Sequence, residues 1–361
     1  MTDFISGLQL SELFYKEVVK HILESEFPEL KYSVGLIGSG SEVLGFDTPQ
    51  STDHCWGLRL LLFLCETDYR KNREKISNVL SERLPYKFRG YSTNFSEPDN
   101  EGDQWLEEIE DGPVNHKIEI FSLKSFFKQY LDIDTDDEMN ALDWLTFSEQ
   151  KLRTIKSGKI FHDDLGLNRI RKRFDYYPKD VWLYLLASQW RRISQEEAFV
   201  GRCGDVGDEL GSKIIAARLV GDVMRLCFLI EKEYAPYSKW FGTAFSRLKC
   251  AKKLTPLFNK VLSAQNWKIR EKHLSSAYEE IAKMHNKLDI TKPLPTKVSR
   301  FHSRPYLIIH GDLFVTEIKK KIKSRAIKNI KVNIGSVNQF SDSTDVRCNT
   351  KLTRKLKILY K

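Results

Sequence analysis

Apolar residues Leu10, Leu13, Phe14, Val18 and Ile22 recur at helical spacing over residues 9–26, and Pro28 closes the run, which predicts an opening helix. Residues 32–37 then read as a short buried strand. A second strand is predicted at 56–64, where the run Leu60-Leu61-Leu62-Phe63-Leu64 suits a sheet covered on both faces. The stretch 67–84 carries Ile76, Val79, Leu80 and Leu84 on one helical side. Residues 86–91 and 116–121 look like further strands, and the acidic, Gly- and Pro-punctuated stretch 92–113 between them reads as an exposed loop. Strands and helices alternating over roughly residues 1–130 predict a small α/β domain.

Beyond that point the periodicity changes. Residues 122–133 and 139–155 are helical in pattern, and 158–164 is a short extended piece ending in a turn. From 178 to 288 nearly every position follows helical spacing, in at least four long segments broken near 201–211, 235–236 and 255–256, which predicts a helical bundle. Pro293, Pro295 and Pro305 make 291–305 an extended linker. The last part mixes a strand at 307–309, a Lys-rich helix at 315–327 and a polar turn at 339–345. Three parts are therefore expected: 1–130, a helical domain at 131–290, and a basic C-terminal segment at 291–361 that packs on the site. The expected class is α+β.

Composition adds limits. At 361 residues, 41% apolar and 30% charged, the chain is globular and exceeds one ordinary domain. No stretch approaches the roughly 18 uncharged apolar residues that span a bilayer; the longest candidate, 214–230, is interrupted by Arg218, Asp222 and Arg225. A soluble, cytoplasmic protein without membrane partners is expected. The six cysteines form no Cys-x-x-Cys pair and have no His partner at zinc-ligand spacing, so they read as free thiols. The net charge of +9 is uneven: 99–138 is acidic, while 245–331 and the last dozen residues are rich in Lys and Arg. Such a surface suits polyphosphate or nucleic acid, but without a pattern of stacking aromatics nucleic acid is the less favoured partner.

Candidate chemistry concentrates in 38–57, Gly-Ser-Gly-Ser-Glu-Val-Leu-Gly-Phe-Asp-Thr-Pro-Gln-Ser-Thr-Asp-His-Cys-Trp-Gly. A small-residue turn follows an apolar strand, and eleven residues separate Gly40-Ser41 from Asp53, just ahead of the next strand. A further acid, Glu119, is set between Ile118 and Ile120. Ser41 and nearby backbone N–H groups suit the phosphates of a nucleoside triphosphate. Asp53 and Glu119 suit a hard divalent cation, Mg2+ or Mn2+, which neutralises phosphate charge. Each element also has a purely structural reading, as a common turn, a turn cap and an edge-strand residue; the combination in this order carries the weight. In the helical part, Arg218 and Arg225 share a helix face with Asp222 between them, which reads either as an Arg-Asp-Arg pairing or as a basic face for a triphosphate. Gly201 to Gly211 reads as a helix–helix turn.

The phrases Gly-Ser-Gly-Ser-Glu-Val-Leu-Gly-Phe-Asp, Ser-Thr-Asp-His-x-Trp-Gly, Tyr-Pro-Lys-Asp-Val-Trp-Leu-Tyr, Gly-Asp-Glu-Leu-Gly-Ser-Lys, Tyr-Ala-Pro-Tyr-Ser-Lys-Trp and Gln-Phe-Ser-Asp-Ser-Thr-Asp resemble an uncharacterised nucleotidyltransferase-like family, a domain of unknown function within the nucleotidyltransferase superfamily. The likeness runs from about residue 30 to the C-terminus. It implies a small mixed-sheet nucleotidyltransferase domain followed by a helical bundle and a small C-terminal α/β segment, a layout similar to kanamycin nucleotidyltransferase. Gly40, Ser41, Asp53 and Glu119 occupy the motif positions, with Lys213, Arg218 and Lys239 as further nucleotide-binding candidates. Cys55 stands where the family pattern usually has a second Asp, and a thiol is a poor magnesium ligand. Three outcomes are compatible with that: one metal held by Asp53 and Glu119 suffices; Asp47 or a C-terminal acid such as Asp342 or Asp345, beside Ser343, replaces the carboxylate; or the chain binds nucleotide without turnover. The expected function is magnesium-dependent transfer of a nucleoside monophosphate to a hydroxyl-bearing acceptor, such as a small molecule. The alternative is a degenerate transferase that senses nucleotide or docks RNA or protein.

Overall fold

A computed structural model describes residues 4–361. The fold is α+β, in two compact units: one runs to Glu138 and adds Lys151–Asp175, the other joins Met139–Gln150 to Tyr176–Lys361.

In the first unit the apolar runs become strands β1 (Tyr32–Leu36) and β2 (Arg59–Leu64). Two short strands, β3 (Lys87–Phe88) and β4 (Tyr91–Ser92), form a small hairpin, where one longer strand was expected. The sheet is completed by β5 (Lys117–Ser122) and β6 (Lys159–Asp163), in the order β5-β2-β1-β6. β1 runs antiparallel to both neighbours, whereas β2 and β5 are parallel, so the sheet is mixed. A parallel pair needs a crossover, and the helix Glu66–Arg83 lies within it. One sheet face, with Val34, Leu60, Leu62 and Ile118, packs in a single core with Leu10, Phe14, Leu23, Ile76 and Leu80 from the opening helices and the crossover helix. The opening run is helical throughout, as Gly7–Phe14, a π turn at Tyr15–Val19 and Lys20–Glu26. Phe63, Phe121 and Phe126 cluster edge to face on the other side of the sheet.

The short extended piece expected at 158–164 is the edge strand β6, paired to β1. The helix expected over 139–155 is two, Ala141–Thr146 and Glu149–Ser157.

The second unit is built on the helices Lys179–Glu196, Glu209–Ile230, Ala251–Ser263 and Trp267–Asn286, with Leu183, Leu186, Val223, Leu226, Leu254 and Ile281 buried between them. The break expected at 255–256 is absent. Pro256 lies inside Ala251–Ser263, where buried Leu254, Phe258 and Val261 outweigh the loss of one backbone hydrogen bond. The helix–helix turn expected over 201–211 is confined to 206–208, between the helices Phe199–Asp205 and Glu209–Ile230, and the Asp208 side chain caps the second of them.

Residues 291–361 belong to this same unit. Strands β7 (Ser299–Arg300) and β8 (Leu307–Ile308) form a two-stranded ribbon, and the helix Gly311–Lys319 stacks Phe314 on Trp190 with ring centroids 4.0 Å apart. Further on, Arg354 and Lys357 each reach the Asp143 carboxylate at 2.5 Å. Tyr360 donates to the carbonyls of Leu145 and Gly335. The linker composition at 291–305 therefore marks a surface crossing inside one unit. No helix of the described residues is long and apolar enough to cross a membrane.

Candidate functional site

The turn after β1 begins with Gly38 at φ 88° and passes through Gly40 at φ 141°, a conformation L side chains rarely adopt. A Cβ at Gly40 would stand 2.6 Å from the Glu42 carboxylate. Ser41 then opens a single helical turn, Ser41–Leu44, closed by Gly45 in the left-handed region. Beneath the turn the Arg59 guanidinium donates to Glu42 at 2.7 Å, to the Cys55 carbonyl at 2.9 Å and to the Ser39 carbonyl at 3.2 Å. The first residue of β2 thus fastens the Gly-Ser turn to the segment that precedes the strand. Glu42 is 1% exposed, and burial raises its carboxyl pKa although Arg59 pulls the other way.

Asp47, expected as a substitute metal ligand, is engaged otherwise. Its carboxylate accepts from the Gly7 backbone N–H at 2.7 Å and from Trp56 Nε1 at 3.1 Å.

Asp53 lies ahead of the strand, where it ends a short 3-10 turn, Pro49–Asp53, that Thr48 and Ser51 initiate with a reciprocal capping box. Its carboxylate is largely exposed and lies 3.1 Å from His54 Nδ1. The little burial it has works to raise its pKa, but His54 outweighs this and holds the carboxyl below the usual range. Cys55 has φ 48°. That left-handed residue breaks strand alternation, so positions 53 and 55 are not alternate residues of one strand.

What meets Cys55 is the loop at 92–113, expected to be exposed. Gln104 O accepts from the Cys55 backbone N–H at 2.6 Å, and the Cys55 thiol donates to Asp103 Oδ1 at 3.4 Å. The loop is pinned by a bridge between Phe95 and Leu106 and by Lys117 Nζ donating to Gln104 Oε1. Asp103 is therefore the carboxylate beside the vacant motif position. Sequence reading missed it because only the fold of the loop brings it there; its sole signal was an acid following Gly102 in an acidic turn.

Glu119 stands in β5 opposite Leu61 of β2, exposed, and on the sheet face shared with Lys117 and Arg59. In parallel register, the heads of β2 and β5 thus carry Arg59 and Lys117, with Glu119 two pairs further in, the next position on the same face. Among the described residues no three His, Cys, Asp or Glu side chains are grouped to hold a metal ion.

The remaining candidates lie in the second unit. Lys213 is exposed, Arg218 pairs with Glu196 at 2.6 Å, and Lys239 lies 5.3 Å from the Trp240 ring centroid. Arg225 pairs with buried Glu149 at 2.9 Å. The Arg-Asp-Arg pairing does not form, because Asp222 turns inward to Arg192 and Gln189 while the two arginines find other acids. Asp342 is exposed and pairs with Arg347, Ser343 caps the helix Thr344–Cys348, and Asp345 lies in its first turn.

An open groove of about 380 Å³ in the first unit is lined by Glu66, Tyr69, Arg70, Ser122, Lys124 and Lys128 among others. It sits where β2 and β5 end, at the opposite end of the strands from the Gly-Ser turn. Asp136 and Asp132 neutralise Lys124 and Lys128, so it is not assigned to the candidate chemistry.

Residues 144–241 match the profile of a family described as a domain of unknown function, DUF4037. Comparison with curated proteins finds no match. Among solved structures, a nucleotidyltransferase-like protein from Exiguobacterium sibiricum 255-15 is similar over 81% of this chain and 82% of its own, with 10% identity and a TM-score of 0.32. No residue role is carried over from it.

Proposed function

We propose that the first unit binds a nucleoside triphosphate together with a divalent metal and transfers its nucleoside monophosphate to a hydroxyl-bearing acceptor. The observation that carries this reading is the turn at Gly38–Ser41, its backbone fixed by Arg59 at the head of β2, with Asp53 ionised and exposed in the segment leading into that strand. Backbone N–H groups in a Gly-Ser turn suit phosphate oxygens, and Ser41 adds a hydroxyl donor.

Magnesium keeps several waters and takes one or two carboxylates plus phosphate oxygens. The donors here fit a metal that arrives on the nucleotide: hard carboxylate oxygens are present at Asp53 and Glu119, and no cage of three protein ligands is needed or found among the described residues. Asp53 and Glu119 would hold it, and when bound it would neutralise charge on the triphosphate. The chain's own part is to orient the phosphates on the turn and to present the exposed Asp53 carboxylate, whose pKa His54 lowers. Asp103 is a third acid beside Cys55, the position the motif leaves without one.

A second reading has its own observation. Because Cys55 is left-handed and its thiol is bound to Asp103, the site also suits nucleotide binding without turnover.

Calorimetry with each magnesium–nucleoside triphosphate, on the natural chain and on Asp53→Ala and Glu119→Ala, tests the site. Binding is expected, about tenfold weaker in each variant, the scale of one lost charge-assisted contact. Equal affinity in all three proteins would place the site elsewhere. Pyrophosphate release with a pool of hydroxylated metabolites then separates the transferase from the sensor.

A further inference from the structure

Residues 319–331, Lys-Lys-Lys-Ile-Lys-Ser-Arg-Ala-Ile-Lys-Asn-Ile-Lys, hold seven cations (Lys319, Lys320, Lys321, Lys323, Arg325, Lys328 and Lys331) and no acid. The fold sorts them. Ile318, Ile322, Ile327 and Ile330 are each 4% exposed or less, whereas every one of the seven cations is exposed. The segment leaves the helix Gly311–Lys319, turns, and forms the short helix Arg325–Lys328. Its turn is tied down by the Asp180 carboxylate, which accepts from the backbone N–H groups of Lys323 and Ser324. This is a fixed basic face rather than a loose tail.

Its charges are also largely uncompensated. Among the described residues only Lys320 of the seven has an ion-pair partner, Glu317. Lys179 extends the field from the start of the helix Lys179–Glu196, next to Asp180, and exposed Lys232 lies over Trp182 of the same helix. Like charges gathered on one short exposed segment raise the energy of the free protein, and a polyanion relieves that repulsion while releasing its own counterions.

We infer that this face binds the phosphate backbone of a nucleic acid, without reading its bases. A row of cations along a turn and two helix ends matches a ligand whose charge repeats, as a backbone does and a single phosphate does not. No aromatic side chain lies in the segment, so neither stacking nor sequence preference is built in. An acidic membrane fits less well: surface helices bury an apolar face in lipid, and the isoleucines of this segment are already buried in protein. The inference does not rest on the proposed transferase site, and its test reads binding rather than turnover.

Fluorescence anisotropy of a labelled single-stranded RNA of mixed sequence, with the full chain, is the experiment. If about four phosphates are engaged, raising salt from about 50 to 200 mM should weaken binding about 50-fold. Reversing four cations together (Lys321→Glu, Lys323→Glu, Arg325→Glu, Lys328→Glu) should abolish binding. Reversing exposed Lys252, Lys260, Lys268 and Lys272, an equal change in net charge, should cost only about threefold. The milder set Lys321→Gln, Lys323→Gln, Arg325→Gln and Lys328→Gln keeps the test open should the reversed protein not melt cooperatively; it should lose about 50-fold. Failure of the natural chain to bind RNA at low salt would overturn the inference. So would equal losses in the two reversed sets, or binding to vesicles of acidic lipid in place of RNA.

Discussion

The guanidinium of Arg59 lies 2.7 Å from the Glu42 carboxylate, and the two side chains are only 12% and 1% exposed. A buried pair of this kind is held more by the cost of breaking it than by its own strength. Arg59→Met should leave Glu42 without its cation and free the Ser39 and Cys55 carbonyls, costing about 3–5 kcal/mol in chemical unfolding. Restoring neutrality with Glu42→Gln in the same chain should recover part of that loss. A single Arg59→Met that unfolds at the natural denaturant midpoint would show that the turn is held by other contacts.

Cys55→Asp places a carboxylate next to Asp103, whose Oδ1 now accepts from the thiol at 3.4 Å. Two acids that close repel unless a cation sits between them. Aspartate also tolerates the left-handed backbone at this position better than most residues. The variant should therefore melt lower than the natural chain in chelator and gain more on adding magnesium, by about 2–4 °C. No difference in the magnesium response would mean that Asp103 and residue 55 do not face a common metal position.

Asp143, 5% exposed, is held by Arg354 and Lys357 from the end of the chain. Burial acts to raise its pKa, yet these cations keep the carboxyl below its ordinary value. Arg354→Ala should cost about 1–3 kcal/mol, the worth of a charge-assisted bond to a buried acid. Deleting residues 333–361 removes buried Val337, Asn338, Gln339 and Tyr360 as well. A thermal scan of that truncation should show loss of the second unit's cooperative melting rather than an intact fold.

Glu197 and His285 pull stability in opposite directions with pH. Burial raises Glu197 to about 7, against hydrogen bonds from the Ile309 and Gly311 backbone N–H groups. Its stabilisation is complete below the unfolded carboxyl pKa and is lost as pH rises toward 7. Burial lowers His285 to about 4, so its stabilisation is complete above the unfolded imidazole pKa and is lost as pH falls toward 4. Each contribution is about 3 kcal/mol at full extent. Relative to the natural chain, Glu197→Gln should gain stability as pH rises from about 4.5 to 7, and His285→Phe should gain as pH falls over the same window. Parallel pH profiles for all three proteins would dismiss both assignments.

Elements whose evidence is local were legible in the sequence. The buried runs of β1 and β2 and the helix at Glu66–Arg83 appear where apolar spacing places them, because those residues face one core. Pro256 misled because the sequence shows a lost donor but not the tertiary packing that outweighs it. β6 is legible as a short extended piece but not as part of the sheet, since an edge strand declares its place only through its partner, far back at β1. The same limit applies to the candidate site. Gly40, Ser41 and Asp53 could be named as candidates from order and spacing, but the left-handed turn at Cys55 and the approach of Asp103 depend on Gln104 accepting from the Cys55 backbone, a contact made across a loop.

The sheet order β5-β2-β1-β6 also implies a sequence of assembly. Its central antiparallel pair lies within the first 64 residues, together with the Gly7–Asp47 bond and the Arg59 clamp on the turn. A chain emerging from the ribosome can join that pair early, at low contact order, with the Gly-Ser turn already seated. Both edges of the pair then stay open until Lys117–Ser122 and, later still, Lys159–Asp163 arrive to cover them. During that interval two rows of unpaired backbone groups face the solvent, and the growing protein is most exposed to pairing with the wrong strand.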